Sequence, residues 1–202
     1  MERPADAAGE SPLATLPATF TYTQARRSGI SNRALYQWRD AGLIESIGRG
    51  IYRRVDVDAA ADIDLLEIAR RAPNATLCLT TALARHGLTD EIPAKIDVAV
   101  PRGQHRPTTV APVTWHVFDR DTFDIGRTEL RLEDQTSIGL YNQERGIIDA
   151  IRLRHREGNE LGYVALKRWL ARPGSSPAKL LTLARQFPQA EKALRAALEV
   201  LL

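Results

Sequence analysis

The chain has little cysteine and no long apolar run, and each shortage excludes a class of protein. Cys78 is the one cysteine among 202 residues, so an internal disulfide is excluded, as expected in the reducing cytoplasm. The four histidines lack the paired spacing of metal sites, so no metal and no cofactor are predicted. Apolar stretches such as Ile96–Val100 are short, which predicts no membrane-spanning helix. The first twelve residues carry acids and no apolar core, so we expect no secretion signal there.

The charge of the chain is concentrated near its N-terminus. The overall composition, 44% hydrophobic and 26% charged, predicts an ordinary globular protein with a net charge of +3. Residues 1–19 sum to −2, residues 20–54 sum to +5, and the remaining 148 residues sum to zero. Every positive charge in the 20–54 segment is an arginine, whose forked donor suits phosphates and guanine edges. A basic segment on a neutral body is typical of a nucleic-acid-binding module, and a solvated basic surface is the alternative.

Two short helices are predicted in the basic segment. Thr21 or Thr23 is suited to cap the first helix, and Gly29 to end it in a left-handed turn. Ser31 caps the second helix, which is predicted over residues 32–41 and ended by the following glycine. Two helices joined by a glycine-containing turn of about four residues are typical of a helix-turn-helix.

The second helix is predicted to have one apolar and one polar side. Ala34, Leu35 and Trp38 share a face, which favours packing in the core. The opposite side carries asparagine, arginine and glutamine, which form bidentate hydrogen bonds to base edges when a helix enters the major groove. With the cap residue of the helix included, the residues predicted to contact the bases are Ser31, Asn32, Arg33, Tyr36 and Gln37.

A wing is predicted directly after the second helix. Ile44 and Ile51-Tyr52 are predicted as short strands on either side of a Gly48-Arg49-Gly50 turn. An arginine at the tip of a wing or on its returning strand is placed to contact the DNA backbone or minor groove. The residues predicted to make these contacts, together with two arginines of the first helix, are Arg26, Arg27, Arg49 and Arg53.

Three short motifs in this segment resemble a known family. They are Gly29-Ile30-Ser31, the Arg39–Leu43 step at the end of the second helix, and Arg49-Gly50-Ile51-Tyr52. This combination resembles the winged-helix N-terminal domain of AbiEi-type antitoxins, from bacterial type IV toxin–antitoxin systems. The stretches 75–103 and 144–155 are also similar to that family, so the resemblance covers most of residues 20–200.

The body of the chain is predicted to be mixed in structure. A strand-rich middle precedes a helical end, which favours an α+β fold. We therefore predict a winged helix-turn-helix domain over residues 11–55 and a larger α+β antitoxin domain with a helical C-terminus over residues 60–202. The resemblance implies an antitoxin that counters a nucleotidyltransferase-like toxin, either directly or only functionally. It also implies that the protein represses its own operon by binding double-stranded DNA at an inverted repeat in the promoter.

Two alternatives belong to other classes of protein. Asp97 and a later Glu129-Leu130-Arg131 are loosely similar to the carboxylate pair of metal-dependent nucleases, but no third acid completes a metal shell and arginine replaces the expected lysine. We therefore predict that the protein is not an enzyme. The other alternative is a winged-helix regulator whose C-terminal domain senses a ligand and has no toxin partner.

Overall fold

The computed structural model describes residues 12–56, 62–133 and 136–201, which form a mixed α+β fold with a helical C-terminal part. This architecture confirms the predicted fold class. The predicted boundary between two domains, at residues 55–60, lies largely outside the described residues and stays a prediction. No helix within these ranges is long and apolar enough to cross a membrane.

The N-terminal unit is a winged helix-turn-helix. Its three strands pair antiparallel in the order β1-β3-β2, and β2 and β3 form the wing. In chain order the elements are β1 (Thr19–Thr21), α1 (Tyr22–Arg27), α2 (Asn32–Asp40), β2 (Ile44–Gly48) and β3 (Ile51–Arg54). The predicted helix-turn-helix and wing are therefore both present.

Local side-chain chemistry sets the ends of both helices. The Thr21 hydroxyl accepts a hydrogen bond from Gln24 N, and the Gln24 side chain accepts one from Thr21 N, which makes a capping box for α1. Gly29 has a φ of +80°, a conformation that other residues rarely adopt, and it turns the chain out of α1. The Ser31 hydroxyl accepts from Ala34 N at 3.1 Å and caps α2.

The body is built on a five-stranded mixed sheet in the order β6-β5-β4-β8-β7. The β4–β8 and β5–β6 pairs are parallel, and the β4–β5 and β7–β8 pairs are antiparallel. The strands are β4 (Thr76–Leu77), β5 (Ile96–Pro101), β6 (Val113–Phe118), β7 (Arg127–Glu133) and β8 (Thr136–Tyr141).

Helices cover both faces of this sheet. Side chains alternate along β8, so Ile138 packs with Leu65 and Ile68 of the first body helix, whereas Tyr141 packs with the C-terminal helices. The helices are α3 (Ile63–Arg71), α4 (Leu79–Arg85), α5 (Arg120–Phe123), α6 (Gln143–Arg152), α7 (Arg154–Glu157), α8 (Asn159–Leu170), α9 (Pro177–Ala184) and α10 (Ala190–Leu201).

The sheet of the N-terminal unit is covered on both faces. One face packs on α1 and α2 through a buried cluster that includes Phe20 and Ile44. The other face packs on α3, where Ile47, Ile51 and Leu66 form a second buried cluster. The wing sheet therefore lies between the helix-turn-helix and the first helix of the body.

Candidate nucleic-acid interface

Helix α2 buries one side and exposes the other. Leu35 is 4% exposed and packs with the partly buried Ala34 and Trp38, which confirms the predicted core side. The opposite side is solvent-exposed and runs along the helix at positions i, i+1, i+4 and i+5. It consists of the residues predicted to contact bases, namely Asn32, Arg33, Tyr36 and Gln37.

Two side-chain hydrogen bonds fix the first turn of α2. Ser31 uses its hydroxyl as the helix cap, so its part in DNA binding stays a prediction. The Tyr22 hydroxyl donates to Asn32 Oδ1 at 2.8 Å. This bond leaves one lone pair of Oδ1 and both Nδ2 hydrogens of Asn32 available, the groups with which asparagine binds adenine.

The two arginines of α1 differ in their surroundings. Arg26 Nη1 donates to the carbonyl oxygen of Ile30 at 2.8 Å, so this guanidinium holds the turn between α1 and α2. Arg27 lies in the last turn of α1 and is exposed. Both side chains are exposed, and their contacts to phosphates or the minor groove stay a prediction.

The Arg39 guanidinium also lies beside the exposed side of α2. Tyr36 is 58% exposed, and the Arg39 guanidinium carbon lies 5.1 Å from the centre of its ring, a cation–π contact. Arg39 also donates to Asp40 Oδ1 at 2.9 Å. The exposed side of α2 therefore ends in a positively charged group stacked on an aromatic ring.

The wing turn lies next to the start of α1. Tyr22 N donates to the carbonyl oxygen of Gly50 at 2.8 Å, and Gly50 has a φ of +69°. From the other side, Arg71 Nη2 of α3 donates to the carbonyl oxygen of Arg49 at 3.3 Å. The Arg49 side chain is exposed at the tip. Tyr22 thus links the wing turn to Asn32, which makes the wing and α2 one continuous surface.

The interpretation of Arg53 as a DNA-contacting residue is corrected by its burial. Arg53 is 4% exposed, and its Nη1 lies 3.4 Å from Glu45 Oε1 on the neighbouring strand. Side chains alternate along β3, so Arg53 shares the face of Ile51, which packs against Leu66 of α3. Arg53 is therefore a structural residue of the sheet and is not available to DNA.

Sequence analysis missed Tyr22 and Arg39 as members of this surface. Tyr22 follows the cap of α1 directly, and only the crossing of the two helices brings it to Asn32, ten residues later. Arg39 lies three residues after Tyr36 on a helix, which is a spacing at which side chains meet. That spacing was the available signal for Arg39, and for Tyr22 there was none.

The carboxylates that resembled a nuclease pair do not meet. Asp97 lies on β5 and Glu129 on β7, with two strands between them, a separation of roughly 14 Å at the usual strand spacing. The Asp97 carboxylate instead contacts His116 Nε2 at 2.9 Å in the interior. Among the residues that the structure describes, no group of three His, Cys, Asp or Glu side chains is placed to hold a metal ion.

Cys78 has the environment of a core residue. It is fully buried, and this burial raises the pKa of its thiol well above the usual range, with further raising by the charges of Asp97 and Asp149. The thiol therefore stays protonated at neutral pH and lacks the thiolate that a nucleophile requires.

The fold is similar to that of a solved mycobacterial protein. The crystal structure of the RV2827C protein from Mycobacterium tuberculosis matches with a TM-score of 0.62, covering 91% of this chain and 72% of that chain. The sequence identity is 17%, so this likeness shows the fold alone. No curated protein matches the sequence significantly.

A family model matches the N-terminal unit. Residues 16–55 match the family described as "Transcriptional regulator, AbiEi antitoxin", the family to which the three sequence motifs pointed. This range contains the whole of α1, α2 and the wing. The resemblance of the later stretches to the same family stays a prediction. Residues 16–55 are therefore similar to a family of transcriptional regulators and antitoxins of the AbiEi type.

Proposed function

We propose that the protein is a transcriptional regulator that binds an inverted repeat in its own promoter by placing α2 in the major groove. The observation that carries this proposal is the single exposed surface made by the polar side of α2 and the wing turn. Exposed guanidinium groups lie on and beside it, those of Arg26, Arg27, Arg33, Arg39 and Arg49. A regulator of this kind acts on chromosomal DNA, so we place it in the cytoplasm.

We assign the roles by side-chain chemistry. Arg33 suits the O6 and N7 atoms of guanine, and Asn32 and Gln37 suit adenine. The positions of Arg26, Arg27 and Arg49 at the two edges of the surface suit phosphates or the minor groove. Arg53 is left out, because its guanidinium is buried against the body.

Replacing Arg33 by alanine is expected to weaken binding to the promoter by about 1–3 kcal/mol and to relax the preference at one base pair. The measurement is a fluorescence-anisotropy titration against the protein's own upstream DNA and a scrambled duplex, each at two salt concentrations. The native protein is expected to prefer the promoter by about a thousandfold or more, with a steep salt dependence.

Two matched variants separate base recognition from phosphate contact. Arg49→Ala is expected to weaken promoter and scrambled DNA by the same factor if Arg49 contacts phosphate, and also to change the A·T preference if Arg49 enters the minor groove. Arg106→Ala removes an exposed arginine outside the proposed surface and is expected to change neither affinity. If the Arg33→Ala protein bound both duplexes like the native protein, the placement of α2 in the groove would be wrong.

Replacing Tyr22 by phenylalanine removes the hydrogen bond to Asn32 and keeps the ring. We expect promoter affinity to fall by about 0.5–1.5 kcal/mol, because the Asn32 amide loses the partner that orients it, and affinity for scrambled DNA to stay unchanged. Tyr163→Phe, on α8 of the body, is the control for loss of a hydroxyl. Equal weakening on both duplexes would contradict an orienting role for Tyr22.

We further propose that the protein is the antitoxin of a toxin–antitoxin pair and counters a nucleotidyltransferase-like toxin. The description of the matched family supports this role. Co-expression with the neighbouring gene product tests it, because growth should be restored when both proteins are made. Co-purification then separates direct binding of the toxin from purely functional opposition. A neighbouring operon of metabolic genes, with no toxic product, would favour the ligand-sensing regulator instead.

A further inference from the structure

A cavity of about 580 Å³ opens on the body where the chain leaves β5. This volume is within the range of sites for small ligands. Its wall belongs to α5, the start of β7 and the loops beside them, and none of its residues belongs to the proposed DNA surface. Two arginines and three other polar residues line it over a buried phenylalanine, namely Arg120, Arg127, Asn74, Gln104, Asp124 and Phe123.

The Arg127 side chain is held in a fixed position at the wall of this cavity. Its Nε donates to Thr76 Oγ1 at 2.9 Å. Its guanidinium lies over Gly139 of β8, where a Cβ atom would be only 2.6 Å from Nε and 2.8 Å from Nη2. A residue with a side chain at position 139 would therefore displace Arg127, and glycine leaves the space that the guanidinium occupies.

Arg120 is positioned in the same way from the other side. Its Nε donates to the carbonyl oxygen of Arg102 at 2.7 Å. Its Nη2 lies over Gly103, where a Cβ atom would be 2.9 Å away and where φ is +84°. Each arginine is thus held by one hydrogen bond at Nε and by close approach to a glycine.

The Nη atoms of both arginines are available to a ligand. Among the described residues, none accepts a hydrogen bond from the Nη atoms of Arg120 or Arg127. A purely structural arginine of the same fold differs: Arg172 uses both Nη atoms, donating to Gln143 Oε1 and to the carbonyl oxygens of His86 and Gly87. Two guanidinium groups on one cavity wall, each fixed at Nε and with its outer donors unused, have the chemistry that binds an anion.

We propose that this cavity binds the phosphoryl groups of a small nucleotide, with Arg120 and Arg127 as the anion-binding pair. The neutral amides of Asn74 and Gln104 suit the hydroxyl and base groups of such a ligand. Asp124 is the one carboxylate among the wall residues named above, and its oxygens suit the ribose hydroxyls of the same ligand. A free nucleotide fits this wall, which offers groups for the phosphoryl, ribose and base parts of one small molecule and lies apart from the proposed DNA surface.

Isothermal titration calorimetry on the full chain tests this site with ATP, pyrophosphate and citrate as probes. ATP and pyrophosphate are expected to give saturable binding, and citrate, an anion without phosphoryl groups, to bind at least about tenfold more weakly. Arg120→Ala and Arg127→Gln are each expected to weaken ATP binding by about tenfold or more, because each loses a charged hydrogen-bond pair. Arg106→Ala is the matched control, an exposed arginine of the neighbouring loop that lies outside the cavity wall.

Three results would overturn the proposal. They are no saturable heat with ATP or pyrophosphate up to about 1 mM, citrate binding as tightly as pyrophosphate, and equal weakening by Arg106→Ala. Promoter binding by the Arg120→Ala protein is measured alongside. It should be native, which shows that the fold is intact and that the two sites are independent. Arg120 is exposed, so its variant keeps the test valid even if Arg127→Gln fails to fold.

Discussion

Replacing Asp149 by alanine is expected to lower the free energy of unfolding by about 3–5 kcal/mol, because the substitution leaves a buried positive charge without its partner. Asp149 is fully buried on α6 and accepts from two arginines, Arg145 Nε at 2.8 Å and Arg152 Nε at 2.7 Å. The Arg145 guanidinium is itself fully buried, 4.3 Å from the ring centres of both Tyr141 and Phe187.

Urea unfolding followed by circular dichroism measures this loss. The control is Glu144→Ala, in the first turn of the same helix, where no buried partner is lost and the change should stay within about 1 kcal/mol. The two positions lie five residues apart on the same helix, and both variants remove a carboxylate. A loss for Asp149→Ala no greater than that of the control would show that the rings and the carbonyl oxygens of Thr122 and Ile125 stabilise the Arg145 cation without Asp149.

Replacing Glu67 by alanine is expected to cost about 3 kcal/mol of stability and also to weaken promoter binding. Glu67 is 1% exposed and accepts from Val110 N and Ala111 N at 2.9 Å. It also accepts from Arg71 Nε at 2.8 Å, and Arg71 holds the carbonyl oxygen of Arg49 at the wing tip. Loss of this carboxylate therefore frees buried donors and loosens the support of the wing turn.

Asp64→Ala is the matched control, since Asp64 is an exposed acid on the same helix α3. It should leave both stability and promoter affinity nearly unchanged. Urea unfolding gives the first quantity, and the anisotropy titration gives the second at a temperature where both variants are folded. Native promoter affinity in a destabilised Glu67→Ala protein would show that α3 does not support the wing turn.

The parts of the structure that sequence analysis predicted are those set by neighbouring residues. Ser31 and Gly29 determine helix ends within a few residues of themselves, so the helix-turn-helix was predictable from caps and turns. The polar side of α2 followed from helical spacing for the same reason. The α+β class followed from the order of strand and helix patterns along the chain.

The parts that sequence analysis missed depend on contacts between distant segments. The burial of Arg53 depends on α3, because the strand alone has two faces and nothing local decides which one meets the body. The arginine pair at the cavity needs Gly139 beside Arg127 and Gly103 beside Arg120, neighbours that only the folded sheet creates. The sequence shows that these residues are positively charged but does not show where their side chains lie in the fold.

The covered wing sheet has a consequence for transplanting this module between proteins. The region that matches the family model ends at residue 55, yet the face of β3 that carries Ile51 is completed by Leu66 of α3. A graft cut at residue 55 would separate the wing sheet from α3 and expose the apolar side chains on both. A recipient helix of different shape would not pack against Ile51 as Leu66 does. A graft that keeps this face covered therefore has to include α3, and the recipient then has to cover the other side of α3, where Leu65 and Ile68 pack on the body sheet.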